Sequence, residues 1–357
     1  MKITTWLKNI FTEHSTLFIL ITPLIIIALV TDLLDDTLTE RIVITMFINL
    51  ILVLGLQLFM GNGGTLNFAH IGFMGIGAYA SVIFSMTPQA KSIGLPDLYP
   101  IFNPIQLPFL MALLLGGLIA AFCAAIISFP LMRLSDAAAV ITSFALLVII
   151  HVVLVHWDNI TAGPQTLFGV DRYTDLWMSV IWGIGFIILA YWFKESSIGL
   201  KLRASRDDRY AAATIGINMV IVRWVAFTLS AFMAGIAGGL WAHFITSFSP
   251  KAFYLTETFV ILAMLVVGGP GGVSGAVVGT LIVSIVREGL RTIESAINIG
   301  QLLPSTLVGF AEVFLAIALI VILIFRPGGI MGGREIRWLK KRPLSQKNED
   351  GTNTTIS

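Results

Sequence analysis

Ten apolar runs recur along the chain, at about 17–34, 42–60, 69–86, 105–130, 137–155, 176–193, 219–242, 257–267, 273–286 and 303–325. Soluble domains cannot hide so many, because too few charges remain to cover their surfaces. Only 12% of the 357 residues are Asp, Glu, Lys or Arg, against 57% hydrophobic, whereas an ordinary soluble protein is roughly 25% charged. A helix of about 20 apolar residues crosses the hydrocarbon core of a bilayer and satisfies its own backbone there. The expected fold is therefore all-α, a polytopic transmembrane helical bundle of about ten membrane segments. The runs at 257–267 and 273–286 are short for crossings. Gly268-Gly269-Pro270-Gly271-Gly272 between them cannot continue a regular helix well. That junction suits two helices joined by a tight turn, or a partly re-entrant element.

Three regions follow. Residues 1–16 place Ile3, Trp6, Leu7, Ile10 and Phe11 on one helical face, as in an amphipathic interfacial segment. Residues 17–325 form the membrane domain, with a charged loop at 194–218. Residues 326–357 form a basic tail that reads as disordered. With ten crossings and both termini cytoplasmic, only six of the 22 basic residues lie outside: Arg41, Lys91, Arg172, Lys251, Arg287 and Arg291. That asymmetry obeys the positive-inside rule and predicts a multi-pass protein of the cell inner membrane. The net charge of +2 implies no nucleic-acid partner. The lone Cys123 forms no intrachain disulfide, no His/Cys cluster has metal-ligand spacing, and no cofactor motif is present.

Many of the 33 glycines fall inside apolar runs, among them Gly72, Gly75, Gly77, Gly235, Gly238, Gly239, Gly275 and Gly279. Small residues at such spacing let helix backbones approach closely in lipid. Polar groups within the runs are rarer. Asn67, His70 and Glu312 are candidate pathway residues, since buried polarity in a membrane is costly; a bonded structural role competes with that reading for each.

The loop KESSIGLKLRASRDDRYAAATIGIN at 194–218 is the only internal loop on the inner side with many charges. It reads as helical, with Asp207 and Asp208 before an alanine run and Gly216 as its stop. Ala211, Ala212 and Ile215 are expected to share a small-residue face suited to a partner's groove, with Arg203, Arg206 and Arg209 available for ion pairs. The plainer reading is a solvated basic connector. No phosphate loop of the form GxxxxGK[ST] occurs in the chain, so any ATP hydrolysis belongs to another subunit.

Three stretches carry a resemblance: GNGGTLNFAHIGFMGIGAYAS at 61–81, GLKLRASRDDRYAAATIGIN at 199–218 followed by WVAFTLSAFMAGIAGGLWA at 224–242, and FVILAMLVVGGPGGVSGAVVGTLIV at 259–283. Together they resemble the permease subunits of ATP-driven branched-chain amino acid importers, specifically of LivM type. Thr65 and Asn67 stand where Gln and Ser are usual, and Pro164 and Gln165 stand in a region commonly richer in glycine and serine. The resemblance implies a membrane permease subunit with no covalent chemistry of its own. Its implied partners are two cytoplasmic ATPase subunits, a second LivH-like permease, an extracytoplasmic solute-binding protein and membrane lipid. It also implies that coupling to the ATPase runs through Arg203, Asp207, Asp208, Ala211, Ala212 and Gly216. Related permeases handle urea and short amides as well as amino acids. An ion-coupled secondary transporter, which also uses broken helices, and a channel or scaffold are the competing classes.

Overall fold

The computed structural model describes residues 15–299 together with 313, 314, 317, 321, 324, 325 and 328–332. The first part of the expected interfacial segment, residues 1–14, lies outside them. So do Glu312 and most of the tenth apolar run and of the tail.

The described chain is helical: α1 Ser15–Leu34, α2 Thr37–Leu56, α3 His70–Ser85, α4 Pro88–Gly94, α5 Phe109–Leu131, α6 Asp136–His156, α7 Leu176–Glu195, α8 Ser197–Asp207, α9 Arg209–Thr214, α10 Met219–Ile245, α11 Leu255–Gly268 and α12 Val273–Ile299. Among the described residues, seven helical stretches are long and apolar enough to cross a membrane: Thr16–Leu34, Thr37–Gly61, Phe109–Leu131, Asp136–His156, Leu176–Glu195, Met219–Ile245 and Val273–Thr292. The helices α3 and α11 are apolar but shorter. One expectation needs correcting. The run at 273–286 is not a short element, because α12 continues through the charged residues Arg287, Glu288 and Arg291 to Ile299. An apolar count stops at the first charge, but a helix does not. The run at 257–267 does stay short: the 14 residues of α11 rise about 21 Å.

The chain ends of successive helices gather in two groups. At one end lie the π-helical turn Gln57–Gly61 that closes α2, the α5–α6 turn, the 196–218 loop and the 269–272 turn. Arg206 Nη1 donates to Gly61 O at 2.8 Å, and Ile330 N donates to Val267 O at 2.9 Å. At the other end, Leu167 and Phe248 form an antiparallel bridge, Asn159 Nδ2 donates to Asp97 O, and Arg172 pairs with Glu40. Residues 328–332 are thus back at the end from which α12 departs. Lys91 in α4 is fully buried at the second end, where its ammonium donates to Phe102 O and Ile105 O and pins the 99–107 loop. Burial pushes this ammonium below the usual lysine range.

Of the long stretches, α2 is the most enclosed, with 89% of its apolar window buried. The outer helices turn apolar faces outward: Leu110, Leu114, Leu118, Phe122 and Ile126 step every four residues along exposed α5. Lipid solvates such a face without penalty, so it needs no protein cover. Inside, α10 packs on α3 and α5 through glycine. A Cβ on Gly77 would run into the Gly235 backbone, one on Gly238 into Met74 O, and one on Gly116 into Gly77 O. The 268–272 junction is a tight turn within a helical hairpin, since Gly268 lies against Gly275 and Gly279 against Met264. Gly269 takes φ +108°, which disfavours any side chain there.

Substituting Gly235 with Leu should cost several kcal/mol, above the ~1–3 kcal/mol typical of overpacking, because the obstruction is the Ala120 Cβ and the Gly117 backbone, neither of which can swing away. Gly185→Ala meets nothing within 4 Å and should be neutral. Thermal unfolding of the two variants in detergent checks this; equal midpoints would refute the packing role.

Candidate functional site

The first end of the bundle carries a bonded cluster centred on Asp136. Ser135 and Asp136 open α6 immediately after the α5–α6 turn, and this places the carboxylate at the helix start, where negative charge is favoured. Its Oδ1 accepts from Arg209 Nη2 at 2.6 Å, Arg223 Nη1 at 2.9 Å and Thr65 Oγ1 at 3.1 Å. One carboxylate therefore joins the 196–218 loop, the first turn of α10 and the glycine-rich entry to α3. The Arg223 side chain is only 5% exposed while that of Asp136 is 51% exposed. The pair is thus a buried cation reaching outward to a solvated anion, which lowers the desolvation cost that a fully buried pair would carry.

The loop is two helices, each started and stopped by local chemistry. Ser196 caps α8 by accepting from Gly199 N at 3.2 Å. Asp208 sits in extended conformation between the helices and caps α9, its Oδ1 accepting from Tyr210 N at 2.8 Å and Ala211 N at 3.0 Å. Gly216, at φ +80°, ends α9: Gly216 N bonds to Ala213 O and Ile217 N to Ala212 O, the paired pattern of a Schellman cap. Asn218 then caps α10.

Arginines fasten this loop to the bundle. Arg203 Nη2 donates to Lys194 O at 2.8 Å, Arg206 bonds Gly61 O as well as Asp207, and Arg209 reaches Asp136. The structure brings Arg203, Asp207, Asp208, Ala211 and Gly216 together at this end. Ala212 is the exception to the expected face: it is 2% exposed and packs inward, while Tyr210, Ala211 and Ile215 project outward. Six helical residues cannot present adjacent alanines to the same side, since each step turns the helix by about 100°.

Asn67 and His70 lie near this end, and both are buried and hydrogen-bonded. Asn67 Oδ1 accepts from Ala69 N at 3.0 Å and so fixes the turn that leads into α3. His70 is 2% exposed; its Nε2 bonds Leu52 O at 2.9 Å and its Nδ1 bonds Ser230 Oγ at 3.2 Å, clasping α2, α3 and α10. Both side chains hold a helix junction in this structure. Beside them, Gln57 is buried with both amide atoms unpartnered among the described residues. Asp136 and Arg223, the centre of this cluster, are residues that a linear reading passes over. The one signal was the Ser-Asp pair before Ala137–Ala139, a helix-start signature. Among the described residues no group of His, Cys, Asp or Glu could hold a metal ion.

Residues 38–325 match the family described as the branched-chain amino acid transport system permease component. The chain is 25% identical over 318 residues to the high-affinity branched-chain amino acid transport system permease protein LivM of Salmonella typhimurium, covering 80% of this chain and 68% of that one. It is 31% identical over 188 residues to a probable LivH permease of Methanocaldococcus jannaschii, covering 50% and 54%. It is 24% identical to the ribose import permease protein RbsC of Haemophilus influenzae, covering 62% and 69%. No solved structure matches the chain.

Removing the carboxylate in Asp136→Ala strands the buried Arg223 cation and should cost about 1–3 kcal/mol. Arg209→Ala, half-exposed, should cost under about 1 kcal/mol. The double change Asp136→Leu with Arg223→Met should recover much of the loss. Ranking the three by thermal shift tests the cluster; an Arg209→Ala loss equal to that of Asp136→Ala would reject Arg223 as its buried anchor.

Proposed function

We propose, from the premise that the chain belongs to the family of branched-chain amino acid transport system permease components, that it is the LivM-type subunit of an ATP-driven importer. Being a permease component, it is not itself the ATPase. With a second, LivH-like permease it forms the pathway for branched-chain amino acids or a related small polar solute. A binding protein delivers the solute from outside, and two cytoplasmic ATPases drive the cycle. In this reading the protein spans the inner membrane many times, with the 196–218 end and both termini facing the cytoplasm.

The observation that carries the reading is the α8–α9 loop. A connector serving topology alone needs neither two capped helices nor three arginine attachments. A surface that must transmit force needs both, because a loose loop would move without moving the bundle. Tyr210 and Ile215, 87% and 74% exposed, form the tip available to an ATPase groove. Arg203, Asp207, Asp208 and Gly216 shape and anchor that tip, Ala211 lies on its outer side, and Ala212 seats it on the bundle. Alternating access then follows if docking of the loaded binding protein and closure of the ATPases each favour a different arrangement of the bundle. Asn67 and His70 act in this scheme as joints beside the pathway rather than solute contacts.

Ile215→Asp and Asp208→Arg should each reduce ATPase co-purification at least tenfold. Asp208→Asn, which keeps the capping oxygen, should reduce it far less. Thermal midpoints of the Ile215→Asp and Asp208→Asn permeases should stay near that of the parent. Full ATPase association and solute-stimulated hydrolysis by Ile215→Asp would sink the coupling assignment. Uptake that continues with hydrolysis-dead ATPases but collapses with the ion gradient would replace the importer with a secondary transporter.

A further inference from the structure

A cavity of about 540 Å³ opens between α2, the end of α10, α11 and α12, at the end of the bundle opposite the α8–α9 loop. Two polar stripes face each other across it. On α2, Arg41, Thr45 and Asn49 line it at four-residue intervals; on α12, Ser284, Glu288 and Arg291 do so at intervals of four and three. Both spacings keep side chains on one helical face. Membrane helices carry such stripes only where they face protein or water rather than lipid.

Depth distinguishes this cavity from a surface recess. Asn49 is twelve residues along α2 from Thr37, which is about 18 Å of helix, and so reaches roughly the middle of a 30 Å hydrocarbon core. It is 8% exposed and its amide side chain lines the cavity. Across from it, the buried hydroxyl of Ser284 lacks a partner among the described residues. Buried polar atoms in native proteins are nearly always bonded, so an open hydroxyl facing an amide at the floor of one cavity points to something that enters it. Nearer the mouth, Glu257 on α11 holds Arg287 at 2.8 Å and ties the α11–α12 hairpin together. The remaining wall is apolar, with Met46, Phe244 and Met264 between the stripes.

We propose that this cavity is the outward-facing receiving site for a small zwitterionic solute with an aliphatic side chain. Arg41 and Arg291 meet its carboxylate, Glu288 meets its ammonium, Met46 and Met264 take its aliphatic part, and Asn49 and Ser284 form the polar floor on which it waits before the bundle switches. The assignment rests on the importer reading above and adds to it a place and the residues that meet the solute. A lipid phosphate would also meet two arginines at a membrane surface, but it would leave the mid-depth amide and hydroxyl unmatched.

The test uses the assembled permease–ATPase complex in nanodiscs with its loaded binding protein, in a Cys123→Ala background. Asn49→Cys, Thr45→Cys and Ser284→Cys are each exposed to a membrane-impermeant thiol reagent on the binding-protein side. Labelling is expected at all three, slowed at least fivefold when leucine-loaded binding protein is present and unaffected when urea replaces leucine. Phe47→Cys, fully buried on the opposite face of α2 against Gly183, should stay unlabelled. In uptake assays Arg291→Gln should raise the KM for leucine about tenfold with little change in kcat. Failure of all three positions to label, or labelling without protection by leucine, overturns the receiving site while leaving the importer reading intact, provided leucine still stimulates ATP hydrolysis by the parent complex. Labelling that follows the anionic-lipid content of the nanodisc instead of leucine assigns the arginines to headgroups and also overturns it. A parent complex whose hydrolysis responds to no amino acid fails the importer reading itself.

Discussion

Close approach of α3, α5 and α10 is the constraint on which this bundle depends. Between helices in lipid no hydrophobic force operates, because the acyl chains are as apolar as the side chains they replace. Cohesion must come from dispersion and from backbone proximity, and both grow as the axes draw together. Gly77, Gly116, Gly235 and Gly238 remove the atoms that would hold the axes apart. Once that junction is set, α2 lies enclosed and the polar devices at either end acquire fixed coordinates. His70 joins α3 to α2 and α10, bonding both Leu52 and Ser230 at the same junction.

The two ends of the bundle then use charge differently. At the α8–α9 end, charges are paired inward: Asp136 gathers Arg209, Arg223 and Thr65, and Arg206 adds a backbone oxygen on α2. These bonds join five separate chain segments and leave a capped, partly apolar tip exposed. At the opposite end Arg287 is spent on Glu257, while Arg41, Glu288 and Arg291 border a cavity. If, as proposed, one end is pushed and the other receives, the two have different requirements, and the distribution of polar partners matches them.

Much of this was legible in the order of residues. Apolar runs located α1, α2, α5, α6, α7 and α10, and the Asp208, alanine and Gly216 pattern located α9 with both of its caps. What resisted was anything set by a partner distant in the chain. Ala212 and Ala211 are equivalent by composition; only the direction in which α9 leaves Asp208 turns one inward. Asp136 and Arg223 are 87 residues apart, and no local rule pairs them. The end of α12 was misjudged because Arg287, Glu288 and Arg291 stop an apolar run, although on a helix facing a cavity they continue it. Thr37, Arg41, Thr45 and Asn49 step every four residues through the start of a crossing, a polar periodicity that a count of apolar residues averages away.

The connection between the two ends runs through α2. Arg206 on α8 holds Gly61 O at the last residue of the π-helical turn, and Pro270 of the α11–α12 turn sits so near Gly61 that no side chain fits between them. Just over three turns up the same helix, Asn49 lines the cavity floor, and α12 leaves the 269–272 turn to line its other wall. A displacement of α8 therefore bears at once on the foot of both walls. Single π turns of this kind are rare in helices and recur at functional sites. Gln57, buried in that turn with both amide atoms unpartnered among the described residues, lacks the bonds that would lock it.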